Sequence, residues 1–476
     1  MDFTWEELFE SDGLPDERLR RRACRIAHAL VERPGAAMTG AFNLWKDTRN
    51  AYNFFENKRV TLAAVLDSPI TVVSRSLRER FEGTTVLNVQ DTTEINLSHL
   101  NSMTGLGEIG NPKNRGLFLH PSLAVSPDGV PIGLLSAKVW DRPPGDHGKT
   151  KKRKQKAFED KESLRWWTAI EVSEKSVGRP GLLVHVGDRE SDIYDVFKRA
   201  RDAHHRILVR SAQDRRVEGE HSTLWAQVAS FAPVGEARPL SVPTRPAKEG
   251  KPARAARDTS IVIRYGLVTI HEPKNGSGTA DMYAVQVSEV DPPVGVEPIE
   301  WLLLTTDPIT SIEDAWQRVE WYRCRWRIEE FFQVLKFGCR IEARQFESRS
   351  TYEPSLAIAM LVAVRLLSMV KQARATPDAP ASAVLSQEEE HVLVVHAQAK
   401  KMGHHCDSSP LRLADAIVLI AMLGGYKARS CDGPPGWITL WRGFRRLEDM
   451  VEGYRLAHPE RPVVPSHGSP LQEEPR

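Results

Sequence analysis

The chain has 476 residues, of which 41% are hydrophobic and 27% charged, with a formal net charge of +2. This is ordinary for a soluble globular protein of about three domains, or two with insertions. Near-neutrality gives no global nucleic-acid signal, so any polyanion binding must come from local patches.

Five cysteines (Cys24, Cys324, Cys339, Cys406 and Cys431) are odd in number and scattered. They argue against a disulfide frame and for a reducing, cytosolic compartment. His404, His405 and Cys406 are adjacent but lack a second ligand pair at metal spacing. The N-terminus MDFTWEELFE is acidic and amphipathic, unlike a secretory signal.

Residues 1–75 read as helical. Pro15-Asp16-Glu17 opens LRRRACRIAHALVE, with Leu19, Ala23, Ile26 and Leu30 at helical spacing, and Pro34-Gly35 stops it. The next stretch, GAFNLWKDTRNAYNFFEN, interleaves Lys46, Arg49 and Lys58 with Trp45, Tyr52 and Phe54, a mix suited to a DNA-facing surface or to a small helical core. From about residue 84 the pattern turns to strands: TTVLNVQDTTEINL, GLFLHPSLAVSP and VPIGLLSAKVW, with Pro127-Asp128-Gly129 marking a hairpin. A charged helical segment near 157–176, the strand GLLVHV before GDRESD, the helix DIYDVFKRARDA and the strand RILVR follow. A meander of strands and then alternating helix and strand is an α/β pattern.

Residues 213–300 read as a β-rich insertion, with two strand runs around Asn275-Gly276. WLLLTT at 301–306 resumes the core pattern and leads into the helical stretch YRCRWRIEEFFQVLK. PDAPAS after about residue 375 opens a helical C-terminal region, 376–476, with a polar tail. The longest apolar run, LAIAMLVAV before Arg365, is too short to span a bilayer and reads as a buried helix, so no membrane is expected. Three basic runs stand out: ERLRRRACR, KTKKRKQK at 149–156 and RPAKEGKPARAAR at 245–257. Singly each fits a solvated loop; together they favour a partner carrying phosphates.

Three acids occupy positions from which a strand-based site could be built. Strand alternation puts Leu87, Val89 and Asp91 on one face, so an apolar face ends in a carboxylate. Asp188 follows the strand LLVHVG. On a regular helix at about 100° per residue, Tyr322, Arg325, Glu329 and Lys336 fall within roughly 60° of one another. Glu330 lies off that stripe, which favours Glu329. Converging carboxylates suit two-metal phosphodiester chemistry, because magnesium takes hard oxygen ligands and relieves the repulsion among the acids. Each acid also has a purely structural account: Asp188 as a helix cap, Glu329 paired with Arg325, Asp91 as a turn residue beside Thr92.

YRCRWRIEEFFQVLK matches the Y-x2-R-x3-E-x6-K signature of the insertion-sequence-four family of DDE transposases. GDRESD and VQDTTEIN resemble that family's second and first aspartate motifs, and the likeness runs nearly end to end. It implies an RNase H-like mixed-sheet catalytic core over 76–375, interrupted by the β-rich insertion and flanked by a helical DNA-binding domain (1–75) and a helical dimerisation domain (376–476).

It also implies catalytic, metal-binding Asp91, Asp188 and Glu329; Mg2+, replaceable by Mn2+; and DNA contacts from Tyr322, Arg325, Lys336, Arg210, Trp301 and Trp326. Trp301 and Trp326 would serve a flipped base. The expected partners are double-stranded transposon ends and target DNA, bound by a homodimer in the bacterial cytoplasm. Two departures stand out: RGLFLH has Leu117 and Phe118 where a member of the family has two tryptophans, and the N-terminal helical region matches only loosely. The rival readings are a non-catalytic transposase-derived DNA-binding protein, an RNase H-fold nuclease without strand transfer, and a carboxylate-pair glycosidase.

Overall fold

A computed structural model describes residues 3–458 apart from 12, 82, 112, 144–156, 243, 245–246, 248–252, 401, 403–409 and 430–431. The basic run at 149–156, much of that at 245–257, and His404, His405, Cys406 and Cys431 therefore lie outside the described residues. Cys24, Cys324 and Cys339 are free and buried.

Helices α1 (Trp5–Leu8), α2 (Glu17–Glu32), α3 (Met38–Ala41), α4 (Trp45–Phe55) and α5 (Leu62–Arg80) open the chain. Asp16 caps α2 by accepting from the Leu19 N–H, and Thr61 caps α5 by accepting from Ala64. Tyr52 is half-buried and Phe54 fully buried, so the aromatic and basic residues of α4 divide between core and surface.

The strands form one mixed sheet. In chain order they are β1 (Val86–Gln90), β2 (Thr93–Asn96), β3 (Gly107–Glu108), β4 (Arg115–Val125) and β5 (Pro131–Trp140). After helix α6 (Leu164–Val177) come β6 (Leu183–Gly187), α7 (Tyr194–Asp202), β7 (Arg206–Arg210) and α8 (Leu224–Ala229). Strands β8 (Val234–Val242), β9 (Arg257–His271), β10 (Thr279–Glu289) and β11 (Glu300–Thr305) complete it. The order is β2-β4-β1-β6-β7-β11-β10-β9-β8, with β3 and β5 also paired to β4. β1, β6 and β7 run parallel, whereas β4 is antiparallel to β1 and β5 to β4. Gly129, at φ +82°, turns the β4–β5 hairpin. Strands β8 to β10 are continuous with the main sheet through the antiparallel β10–β11 and β11–β7 pairs.

Both faces of the sheet are covered. Leu87, Val89, Val184 and Val186 face a large core shared with α2, α4 and α5. Helices α6, α7 and α8 cover the other face through Trp166, Phe197 and Leu224. After β11 come α9 (Ile312–Arg323), α10 (Trp326–Gln333) and α11 (Arg349–Ala375). The apolar run LAIAMLVAV belongs to α11, whose 27 residues are long and apolar enough by length and composition to cross a membrane. Its most apolar window is 83% buried within the protein, so it is the central core helix. The nine-residue run gave too short a helix because the apolar sequence resumes after Arg365 as LLSMV, so one arginine interrupts the run without ending the helix. Burying each of its large side chains, such as Leu356 and Ile358, contributes about 1.5–3 kcal/mol. Helices α12 (Gln387–Ala399), α13 (Leu413–Leu423) and α14 (Trp437–Ala457) form a separate cluster joined to the end of α11.

Candidate functional site

Parallel pairing of β1 with β6 aligns Val89 with Val186. Asp91 and Asp188 lie two residues beyond these positions, so both chains leave the sheet side by side with an acid at the carboxyl end of each strand. Gly187, just before Asp188, leaves little room for a side chain. A Cβ there would lie 2.3 Å from Ser191 Oγ and 3.3 Å from Trp166. The third acid arrives from α10, which buries Ile328, Phe331 and Phe332 and leaves Glu329 half-exposed beside the strand ends.

Arg325 joins these elements. Its Nη1 donates to Asp91 Oδ2 at 3.2 Å and to Glu329 Oε1 at 3.4 Å. Burial pushes the Asp91 carboxyl up to about 7, reinforced by the negative charges of Asp188 and Glu329 and opposed by the Thr92 N–H and Arg325. Asp91 thus senses the negative charge of both other acids. Glu330 turns away and pairs with Lys371 at 2.6 Å and Arg327 at 3.0 Å.

Each acid also has a local role. Asp91 Oδ1 accepts from the Thr92 N–H at 2.7 Å, and Asp188 Oδ1 accepts from the Glu190 N–H at 2.8 Å, capping a short 3-10 turn at Arg189–Ser191. The structural accounts of these residues therefore hold alongside their convergence.

The donors suit a divalent cation: they are hard carboxylate oxygens with excess negative charge, that of Asp91 buried and those of Asp188 and Glu329 partly exposed. Among the described residues, however, no group of three His, Cys, Asp or Glu side chains is disposed around a single ion. Arg325 supplies the positive charge between Asp91 and Glu329 instead.

The other expected residues divide into those at the acids and those beside them. Tyr322 is buried, and burial holds its phenol above its ordinary pKa against the pull of Arg325 and Arg210. Trp301 packs edge-on against Tyr322, with ring centroids 6.1 Å apart. Arg210 ends β7 and donates to the Glu300 carbonyl at 3.1 Å; burial, then Arg189, lowers its pKa. Trp326 is 54% exposed, with Arg325 over its ring at 5.7 Å. Lys336 makes its ion pair with Glu342, at 3.9 Å, away from the three acids.

That displacement corrects the regular-helix wheel. The stretch from Tyr322 to Lys336 is not one uninterrupted α-helix. Arg325, Arg327 and Ile328 donate three residues back, whereas Val334–Gly338 is a π-helical turn in which Cys339 donates five back to Val334. Tightening and then loosening the ladder changes the angle per residue in both directions.

Other residues of the site carried no motif signal. Arg165 on α6 donates to Thr92 Oγ1 and to Glu190 Oε2, both at 2.9 Å, tying the end of β1 to the turn after β6. His120 on β4 is fully buried and pairs through Nδ1 with Thr92 Oγ1 at 2.9 Å; burial, then Arg165 and Lys138, keeps it neutral. Asp192 accepts from the Ala212 and Gln213 N–H groups at 2.7 and 2.9 Å and pairs with Arg215, locking the loop after Arg210 onto the loop after Asp188. The one available hint was LRWWT, an arginine set among tryptophans at a helix start. Phe118 stacks on Trp140 at 5.2 Å, so the departure at RGLFLH retains an aromatic contact.

Residues 2–60 match the family model for transposase DNA-binding. The matched segment contains α1 to α4, and the match supports a transposase that binds DNA.

Proposed function

We propose that the chain is a magnesium-dependent cut-and-paste DNA transposase with Asp91, Asp188 and Glu329 as its catalytic acids. The observation that carries this reading is geometric: Asp91 and Asp188 follow the aligned ends of the parallel strands β1 and β6, and Arg325 bridges Asp91 to Glu329 of α10. The order β5-β4-β1-β6-β7, antiparallel then parallel, supports an RNase H-like core. The three acids would hold Mg2+, which when bound activates a water or 3′-hydroxyl and stabilises the leaving oxygen.

The remaining side chains act on the DNA. Arg325 trades its carboxylate partners for a phosphate, and Arg210 and Tyr322 hold the same strand by charge-assisted hydrogen bonds. Lys336 grips a phosphate further along. Arg165 and His120 fix Thr92 and hence the Asp91 carboxylate. Trp301, braced by Tyr322, and the exposed Trp326 receive a base flipped from the stack during hairpin formation, a step costing a few kcal/mol. The reading includes a homodimer that pairs two ends and transfers 3′ ends to target DNA.

The test is incubation of the full chain with the terminal repeats flanking its own gene, with and without Mg2+. Mg2+-dependent hairpinned ends support the reading; tight binding without cleavage in Mg2+ or Mn2+ would make the chain a DNA-binding protein only.

A further inference from the structure

On the face of the sheet covered by α6, the apolar packing is cut in two. Val86, Val177 and Leu183 belong to one cluster, and Trp166, Phe197 and Leu224 to another. Between them runs a buried polar stripe. Strand alternation puts Asn88 and Gln90 of β1 and His185 of β6 on this face, at 0%, 2% and 2% exposure. Asn88 and His185 are partners in the parallel β1–β6 register. Each stands three residues ahead of an acid, Asp91 after one strand and Asp188 after the other.

Their side chains join across the two strands. Asn88 Nδ2 donates to His185 Nδ1 at 2.9 Å, since an amide nitrogen only donates. The imidazole proton therefore lies on Nε2, which donates to Glu174 Oε1 of α6 at 2.9 Å. Burial, against the pull of Glu174, holds His185 below its ordinary pKa and so neutral.

Stability alone does not account for the stripe. Asn88 Oδ1, Gln90 Nε2, His120 Nε2 and Ser122 Oγ are buried without a partner among the described residues, a cost that an apolar layer would not carry. The strand pairing supplies a reason. The β1–β6 register ends at Val89 and Val186, so no backbone pairing between these strands holds Asp91 against Asp188. Carboxylates that share metal ions must be held to within about 0.5 Å.

We propose that Asn88 and His185 are positioning residues: their hydrogen bond, anchored on α6 by Glu174, sets the separation of Asp91 and Asp188. Helix α6 thereby grips the two acid-bearing strands at two levels, through Arg165 beyond their ends and through Glu174 and this pair before them. The assignment deepens the metal-dependent reading of the same acids and rests on it.

A role in metal binding is separable from a role in the fold. Asn88→Val/His185→Val/Glu174→Leu removes every partner of the chain together, so its melting temperature in EDTA should stay near that of the parent. Mn2+ binding without DNA is read from the free-ion EPR signal of the full chain, counting only what Asp188→Ala loses. The triple variant is expected to bind Mn2+ about tenfold more weakly and to need about tenfold more Mg2+ for half-maximal cleavage. Its duplex affinity in EDTA should be unchanged. His185→Gln keeps both hydrogen bonds, because its amide presents an acceptor and a donor, and should restore the parent affinity. Asn88→Ala breaks only the cross-strand bond; it should weaken Mn2+ binding too, and it carries the test if the triple variant fails to fold.

Parent Mn2+ affinity in the triple variant, or in Asn88→Ala should that one alone fold, would overturn the positioning role while leaving the acids as a metal site. So would a loss in His185→Gln as large as in the triple variant. No Mn2+ bound by the unaltered chain would overturn the metal-dependent reading itself.

Discussion

Replacing Asp91 with Asn should stabilise the fold while abolishing DNA cleavage. The carboxyl sits at about 7 in the folded chain against 3.8 for an ordinary aspartate, the largest cause being burial, followed by Asp188 and Glu329. Between these values the folded state binds a proton that the unfolded chain has lost, so stability falls as pH rises from about 4 to 7. Above that window the full penalty applies: about three pH units at 1.36 kcal/mol each, or about 4 kcal/mol. Asparagine does not titrate and escapes the penalty, although losing the charged hydrogen bond from Arg325 costs about 1 kcal/mol. The net expected gain is about 3 kcal/mol at pH 8, shrinking to under about 1 kcal/mol at pH 5. Thermal or urea unfolding of both proteins in EDTA at the two pH values measures it. A variant less stable than the parent at pH 8, or a gain that does not change with pH, would refute the claim that Asp91 carries a buried, repelled charge.

Three further outcomes follow from the same geometry. Arg325→Gln removes the positive charge at 3.2 and 3.4 Å from Asp91 and Glu329, so Mg2+ should raise its melting temperature more than that of the parent; an equal rise would show that the guanidinium is not their counter-charge. Asp192→Asn breaks a pair whose side chains are 0% and 6% exposed, and calorimetry should find a loss of about 3–5 kcal/mol. Gly187→Ala drives a methyl group into Ser191 and Trp166 and should cost about 1–3 kcal/mol while lowering cleavage and leaving duplex affinity unchanged.

The sequence made the acids legible and their supports invisible, for a physical reason. Asp91 and Asp188 are marked by local pattern, since an apolar strand that ends in a carboxylate is visible within seven residues. Arg165, His120 and Asp192 matter through partners 73, 28 and about 20 positions away. No local periodicity reports such contacts. The β-rich insertion showed its strands, but not that β10 would pair with β11 and lengthen the main sheet. Register across that distance is set by packing rather than by neighbouring residues.

The signature helix shows where a regular period misleads and why that serves the site. Had α9 run unbroken into α10, Tyr322 and Arg325 would be offset by about 60°. The Arg325 N–H instead donates three residues back to the Tyr322 carbonyl, which brings side chains three apart closer to eclipsed, and the Arg325 charge acts on the Tyr322 phenol. From that position Arg325 reaches both Asp91 and Glu329. The π turn at Val334–Gly338 then unwinds the chain in the opposite sense and carries Lys336 to Glu342, which itself accepts from the Asn96 N–H at the end of β2. The two cations of one motif are thereby separated: one sits at the acids, and the other beside the strand that leaves them. A strand of DNA lying across the acids would meet them in succession rather than together. That predicts separable effects, with Arg325→Ala impairing cleavage and Lys336→Ala impairing retention of the cleaved end. Equal loss of both steps in the two variants, read as nicked product and as complex surviving a salt challenge, would show that they act at one phosphate.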